Sequence, residues 1–243
     1  MGFLMLLLWT TNSLAKKVTT RKKKQNQLKF LADLWGGIMN KQLAVATYEQ
    51  AGLPKKYWNF SFIDFTELPV NREKYQDIAK KLKAYADNRL DTSGYGIMFT
   101  GPFRSGKTAL SIAFAKYFMK QHGFMPMFVS NHRLYSAYFG NDLWSFSDLL
   151  LSKFIILDDI GREYKRKDFA GNVLEDLIRE RINSNLGTLI TTNLTPDELK
   201  DFYGTAFYSL LNEMFRLQVK MPEMRDNFTM ISDNVYKKLG GIT

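Results

Sequence analysis

The chain contains no cysteine, which excludes a disulfide framework and any thiolate-ligated metal site. Its two histidines, His122 and His132, are too few for a histidine-rich metal centre. The missing cysteine also fits a reducing compartment. A membrane-spanning run is missing too: the apolar opening Met1–Trp9 is nine residues long, against the ~20 needed to cross a bilayer. Ser13-Leu14-Ala15 looks like a small-residue cleavage site. However, the positive charges follow the apolar run, whereas a signal peptide carries them before it. A docking segment, or residues translated from a start codon upstream of the natural one, is the expected reading. Finally, residues 1–32 hold no Asp or Glu but seven Lys/Arg: Lys16, Lys17, Arg21, Lys22, Lys23, Lys24 and Lys29. Of the net charge of +10, that leaves +3 for the other 211 residues. Such an arm either contacts nucleic acid or an acidic partner, or is a solvated tail.

What remains is ordinary for a soluble globular chain, with 45% hydrophobic and 24% charged residues among 243. That length suits one α/β domain of roughly 150–200 residues plus tails. The pattern divides into an apolar and basic arm (1–36), a helical prelude (37–92), an α/β core (93–230) and a C-terminal tail (231–243). In the prelude, Ile78, Leu82 and Tyr85 recur at helical spacing. In the arm, Leu28, Leu31 and Trp35 fall on one helical face, which suits docking into a partner's groove or packing back onto the core. From Tyr95 onward, short apolar runs alternate with amphipathic helices, the mark of βαβ units and a parallel sheet. Strands are expected at Gly96–Thr100, Met127–Ser130, Phe154–Asp158, Thr188–Thr192 and Leu217–Met221. Helices are expected at Lys107–Gln121, Asn131–Phe139, Phe169–Ser184 and Pro196–Tyr203. The last opens on Thr195 as N-cap, with Pro196 first and Glu198 three residues after the cap.

The first expected strand runs into Gly101-Pro102-Phe103-Arg104-Ser105-Gly106-Lys107-Thr108, which matches G-x-x-x-x-G-K-[ST] between a strand and a helix. Gly101 and Gly106 let successive N–H groups turn toward phosphate oxygens, and the following helix adds the positive end of its dipole. Lys107 is expected to reach the β- and γ-phosphates of ATP, and the Thr108 hydroxyl to ligate Mg²⁺. The third expected strand ends in two carboxylates, Asp158 and Asp159, at the end of a parallel strand where open α/β sheets bind ligands. Asp158 is placed to hold Mg²⁺. Asp159, expected to project to the other side of the strand, either polarises the attacking water or caps the turn at Ile160-Gly161. Asn193, at the end of the fourth strand, either bridges the γ-phosphate and that water or serves as a turn residue. Tyr135, Tyr138, Phe139 and Trp144 could stack on bases, but the spacing of the first three favours a core-facing helix.

Several segments taken together resemble the DnaC-like and IstB-like branch of the AAA+ ATPases, the bacterial helicase loaders and transposon helpers. They are Ala51-Gly52-Leu53-Pro54-Lys55-Lys56-Tyr57, Gly101–Thr108, Leu157-Asp158-Asp159-Ile160-Gly161-Arg162-Glu163, Ile190-Thr191-Thr192-Asn193-Leu194 and Val219–Arg225. The resemblance implies a P-loop fold with a five-stranded parallel sheet sandwiched by helices. It makes Asn193 a sensor 1 residue and Arg225 a sensor 2-like residue. It also calls for an arginine reaching a neighbouring subunit's γ-phosphate, for which Arg216 is the first candidate and Arg181 the second. By this resemblance the chain is expected to be a cytoplasmic ATPase that uses Mg²⁺. Its expected partners are a replicative helicase, single-stranded DNA and further copies of itself, or a transposase and duplex DNA in the alternative branch; a weakly hydrolysing nucleotide switch is the remaining alternative.

Overall fold

The computed structural model of the chain describes residues 43–161 and 167–222, residues 167–170 by their backbone only, together with Val235. The arm with Leu28, Leu31 and Trp35, as well as Glu163, Arg225 and the rest of the tail, therefore lie outside the described residues. The chain divides into two compact units, Met1–Thr47 and Tyr48–Thr243. The described part of the first, 43–47, is helical.

In the second unit, five strands form one parallel sheet: β1 (Ile97–Thr100), β2 (Met127–Ser130), β3 (Phe154–Ile160), β4 (Gly187–Thr192) and β5 (Leu217–Lys220), in the order β2-β3-β4-β1-β5. β1 to β4 are short, largely buried runs, whereas in β5 only Val219 is buried, and alternate side chains point to opposite faces. Ile97, Phe99, Phe154, Ile156 and Leu189 join one core, and Met98, Ile155, Leu157 and Ile190 the other. Helices α1 (Phe62–Thr66), α2 (Arg72–Asp87) and α3 (Lys107–His122) cover the first face. The spacing read from the sequence holds there, because Ile78, Leu82 and Tyr85 on α2 are all buried. Helices α4 (Asn131–Tyr138), α5 (Phe146–Leu151), α6 (Lys167–Asn183), α7 (Pro196–Tyr203) and α8 (Thr205–Met214) cover the second face. Five parallel strands between two helical layers are the architecture expected from the sequence. Thr195 caps α7, its side chain accepting from the Glu198 N–H at 3.3 Å. Helices α5 and α8 are additions to the expected set.

Arg181 departs from expectation. It sits at the end of α6 and is fully buried. Its Nε donates to Thr188 Oγ1 at 2.9 Å, its Nη1 to the carbonyls of Leu149 and Ser152, both at 2.8 Å, and its Nη2 to Gly187 O at 2.6 Å. Burial pulls its pKa down to about 9, so at neutral pH it stays charged and saturates carbonyls that have lost water. A side chain so enclosed cannot reach another subunit, and Arg181 is withdrawn as a candidate for the contact in trans. Its role is to pin α5 and α6 to the start of β4. Arg181→Ala is expected to cost roughly 3–5 kcal/mol, because several buried acceptors lose a charged donor at once. For a chain of this size that lowers the thermal midpoint by about 6–20 °C. A midpoint equal to wild type in a thermal melt would show the network to be dispensable.

Candidate nucleotide site

Because all five strands run the same way, the loops after β1, β3 and β4 gather at one end of the sheet, around a cleft of about 590 Å³. That volume lies within the ~300–1,000 Å³ range of small-molecule sites. The loop from Gly101 to Gly106 turns through the left-handed region at three positions, with φ of +140° at Gly101, +62° at Arg104 and +89° at Gly106. Gly101 is needed for space as well. A methyl group there would approach the Met221 side chain to 3.0 Å and the Met221 carbonyl to 3.3 Å.

The Lys107 side chain is buried and folds back over the loop. Its Nζ donates to Gly101 O at 2.8 Å, Pro102 O at 2.9 Å and Asn193 Oδ1 at 2.7 Å. Thr108 Oγ1 lies 2.9 and 3.1 Å from the two Asp158 oxygens. Residues 50 apart in sequence are thus joined in one pair of hard oxygen donors, the kind of set Mg²⁺ prefers. Among the described residues no group of three His, Cys, Asp or Glu could hold a metal. A cation here would rely on these two side chains plus water and phosphate oxygens, as Mg²⁺ sites commonly do. Burial raises the Asp158 pKa. Hydrogen bonds from Thr191 and Thr108 pull it the other way, the nearby Asp159 carboxylate adds to the rise, and Lys107 opposes it.

The structure corrects the expected direction of Asp159. It does not project to the far side of the strand; both carboxylates line the same cleft. Strict alternation fails because β3 carries a bulge. Leu157 pairs with Ile190 and Ile160 with Thr192, which sets one extra residue of β3 against β4. Asp159 absorbs the bulge with φ of +64°. Its N–H donates to Thr191 Oγ1 at 2.9 Å, while Thr191 Oγ1 donates to Asp158 Oδ1 at 2.8 Å. Thr191 therefore fixes both acids. Nothing in its own type singled it out, though its place one turn of pleat before Asn193 on β4 did put it near the site. Asn193 Nδ2 donates to Asp159 Oδ1 at 2.6 Å. With its other atom on Lys107, Asn193 bridges the loop and the acid rather than serving only as a turn residue.

The remaining walls come from residues with no expected role in the site: Pro54, Lys56 and Tyr57 before α1, with Phe128 and Ser130 at the end of β2. Phe103 and Arg104 at the tip of the loop are exposed but also line the cleft. Arg216 is exposed just before β5, with its guanidinium 6.0 Å from the centre of the Tyr95 ring. That is the opposite end of the sheet from its own phosphate loop. Of the aromatic group after β2, Tyr135 and Trp144 pack against the second core, whereas Tyr138 and Phe139 are 40% and 56% exposed. His122 is a packing residue, its ring 4.5 Å from that of Phe118.

No family model matches the chain. The chain is similar to the replicative helicase loader DnaI of Bacillus subtilis (strain 168), with 24% identity over 194 residues. The match takes in 77% of this chain and 55% of that protein, so the chain spans about half the length of the curated relative it matches. Among solved structures it is similar to the DnaC helicase loader, with a TM-score of 0.60, 23% identity, and coverage of 70% of this chain and 100% of that one. It is also similar to the replication initiator DnaA bound to AMPPCP and single-stranded DNA, with a TM-score of 0.56, 16% identity, and coverage of 76% and 56%. The fold is shared with these replication proteins, and the resemblance of the motifs to DnaC-like helicase loaders is borne out.

Proposed function

We propose that this chain is a replication accessory ATPase that binds ATP with Mg²⁺ in the cleft, hydrolyses it, and acts with a replicative helicase on single-stranded DNA. The observation that carries the reading is the meeting of Lys107, Thr108, Asp158, Asp159 and Asn193 in one cleft, in a chain similar to helicase loaders. The loop at Gly101–Gly106 and the N-terminus of α3 receive the phosphates, and Lys107 places its charge between the β- and γ-groups. Thr108 and Asp158 would hold Mg²⁺, whose chemistry there would be to offset charge on the phosphate oxygens. Asn193 positions the attacking water against the γ-phosphate, and Asp159 accepts a proton from that water. Arg216, facing away from its own cleft, is assigned to the cleft of a neighbouring copy, which makes the active form a homo-oligomer. Arg225 is assigned to the nucleotide as well, and the arm 1–36 to the partner. Among the described residues, no helix is long and apolar enough to cross a membrane.

The test is capture of a ring-shaped replicative helicase and single-stranded DNA by the purified chain, with and without ATP and Mg²⁺. Capture is expected to depend on ATP, and deletion of residues 1–36 to remove the helicase while leaving basal hydrolysis in place. About six phosphate contacts on a single strand would give a log–log salt slope near −4. Capture of a transposase with duplex DNA, and of no helicase, would overturn the loader reading in favour of the IstB-like branch.

A further inference from the structure

One wall of the cleft is a short loop, Pro54–Tyr57, that belongs to no strand and carries little secondary structure beyond one 3-10 turn at Lys55–Tyr57. A loop of this kind needs anchors if it is to present a fixed surface. On the far side, the half-buried Lys116 of α3 donates to the carbonyls of Trp58 at 2.5 Å and Phe60 at 2.8 Å. On the near side the anchor is Arg133 of α4. Its Nε and Nη2 donate to the two oxygens of Asp142 at 3.1 and 3.0 Å, and its guanidinium lies 4.0 Å over the Trp144 ring. Gly52 seats directly against this stack. A methyl group on Gly52 would come within 2.6 Å of both Arg133 Nη1 and the edge of Trp144, and Gly52 is also left-handed, with φ of +74°. Next to it, Ala51 O accepts from Phe128 N at 2.8 Å, which ties the loop's entrance to β2.

We propose that Arg133 is a positioning residue for the cleft: held by Asp142 and Trp144, it fixes Gly52 and so sets the Pro54–Tyr57 wall that faces the nucleoside half of the bound nucleotide. The proposal rests on the reading of the cleft as an ATP site. The hydrogen bonds described for the Arg133 side chain go to Asp142, and none of them to the phosphate loop, Asp158 or Asp159. Its loss moves the wall and leaves the phosphate-binding and hydrolytic side chains where they are. Two halves of one ligand then respond differently. ATP spans both halves, whereas inorganic tripolyphosphate occupies only the phosphate loop.

The experiment is calorimetric titration of the full chain with Mg-ATP and with Mg-tripolyphosphate, together with single-turnover hydrolysis at saturating ATP. In Arg133→Ala, ATP affinity is expected to fall about 3- to 30-fold, the range for an indirect contact. Tripolyphosphate affinity and the single-turnover rate should stay within about twofold of wild type by the same measure. Gly52→Ala, which disturbs the joint from the other side, should give the same selective loss. If Arg133→Ala does not fold, Asp142→Asn carries the same test, since it removes the charge that holds the guanidinium. Unchanged ATP affinity, or equal losses for ATP and tripolyphosphate, would overturn the proposal. Wild-type protein that binds neither ligand would overturn the ATP reading itself, and this proposal with it.

Discussion

Lys107→Ala is expected to weaken ATP binding by about 30- to 3,000-fold, the equivalent of roughly 2–5 kcal/mol for removing one member of a desolvated, hydrogen-bonded charge pair. The ammonium is buried and held by Gly101 O, Pro102 O and Asn193 Oδ1, so it already sits at the loop and exchanges these acceptors for phosphate oxygens on binding. Alanine removes the point charge that the γ-phosphate needs. A fluorescent-nucleotide titration reads the change, with circular dichroism to confirm the fold. Near-normal affinity would sink the assignment of the loop. The same variant tests Arg216. Protein carrying Arg216→Ala keeps an intact cleft but offers nothing to its neighbour, so mixing it with Lys107→Ala protein should restore part of the activity. Failure of the mixture to recover any activity would remove Arg216 from the interface.

Asp159→Asn is expected to keep ATP binding and lose hydrolysis by about 10²–10⁴-fold, the usual share of a positioned general base. The substitution is close to silent in shape. Asparagine tolerates the left-handed backbone that Asp159 adopts, with φ of +64°, and its amide oxygen can still accept from Asn193 Nδ2. What disappears is the group able to take a proton. Single-turnover hydrolysis and a parallel binding titration separate the two effects. Hydrolysis at the wild-type rate would transfer the role elsewhere, with Glu163 the next acid in the sequence.

The phosphate loop and the five strands were legible because their signals are local. A glycine-bounded G-K-T sequence between an apolar run and a helix has few other uses, and a buried parallel strand shows itself as a short apolar run. Asp158 was legible for the same reason, being the first charge at the end of such a run. The direction of Asp159 was not, because alternation along a strand assumes an unbroken ladder. The bulge depends on the Thr191 hydroxyl of another strand capturing the Asp159 N–H. Arg181 misled for a related reason. On sequence it is a charged residue on an amphipathic helix, and only the fold gathers the carbonyls of Leu149, Ser152 and Gly187 around it. The short α5 was missed although Ser145 and Asp148 form a capping box, because six residues carry too little periodicity to read. The wall at Pro54–Tyr57 entered with the resemblance, but its place in the cleft follows from contacts with α3 and α4 that lie 56 or more residues further along the chain.

The bulge at Asp159 also bears on how such a protein can change its pace over generations. Glutamate is the longer acid, and in place of Asp159 it would reach further toward a water in the cleft. Aspartate and asparagine visit a φ of +64° readily, whereas glutamate at that angle costs on the order of 1 kcal/mol or more. A single codon change toward the longer acid would therefore bring its gain in reach together with a loss in backbone comfort. To collect only the gain, a lineage must also straighten β3, which means releasing the Thr191 contact that holds both acids. With Asp159 in the role proposed for it, turnover is thereby tied to strand register.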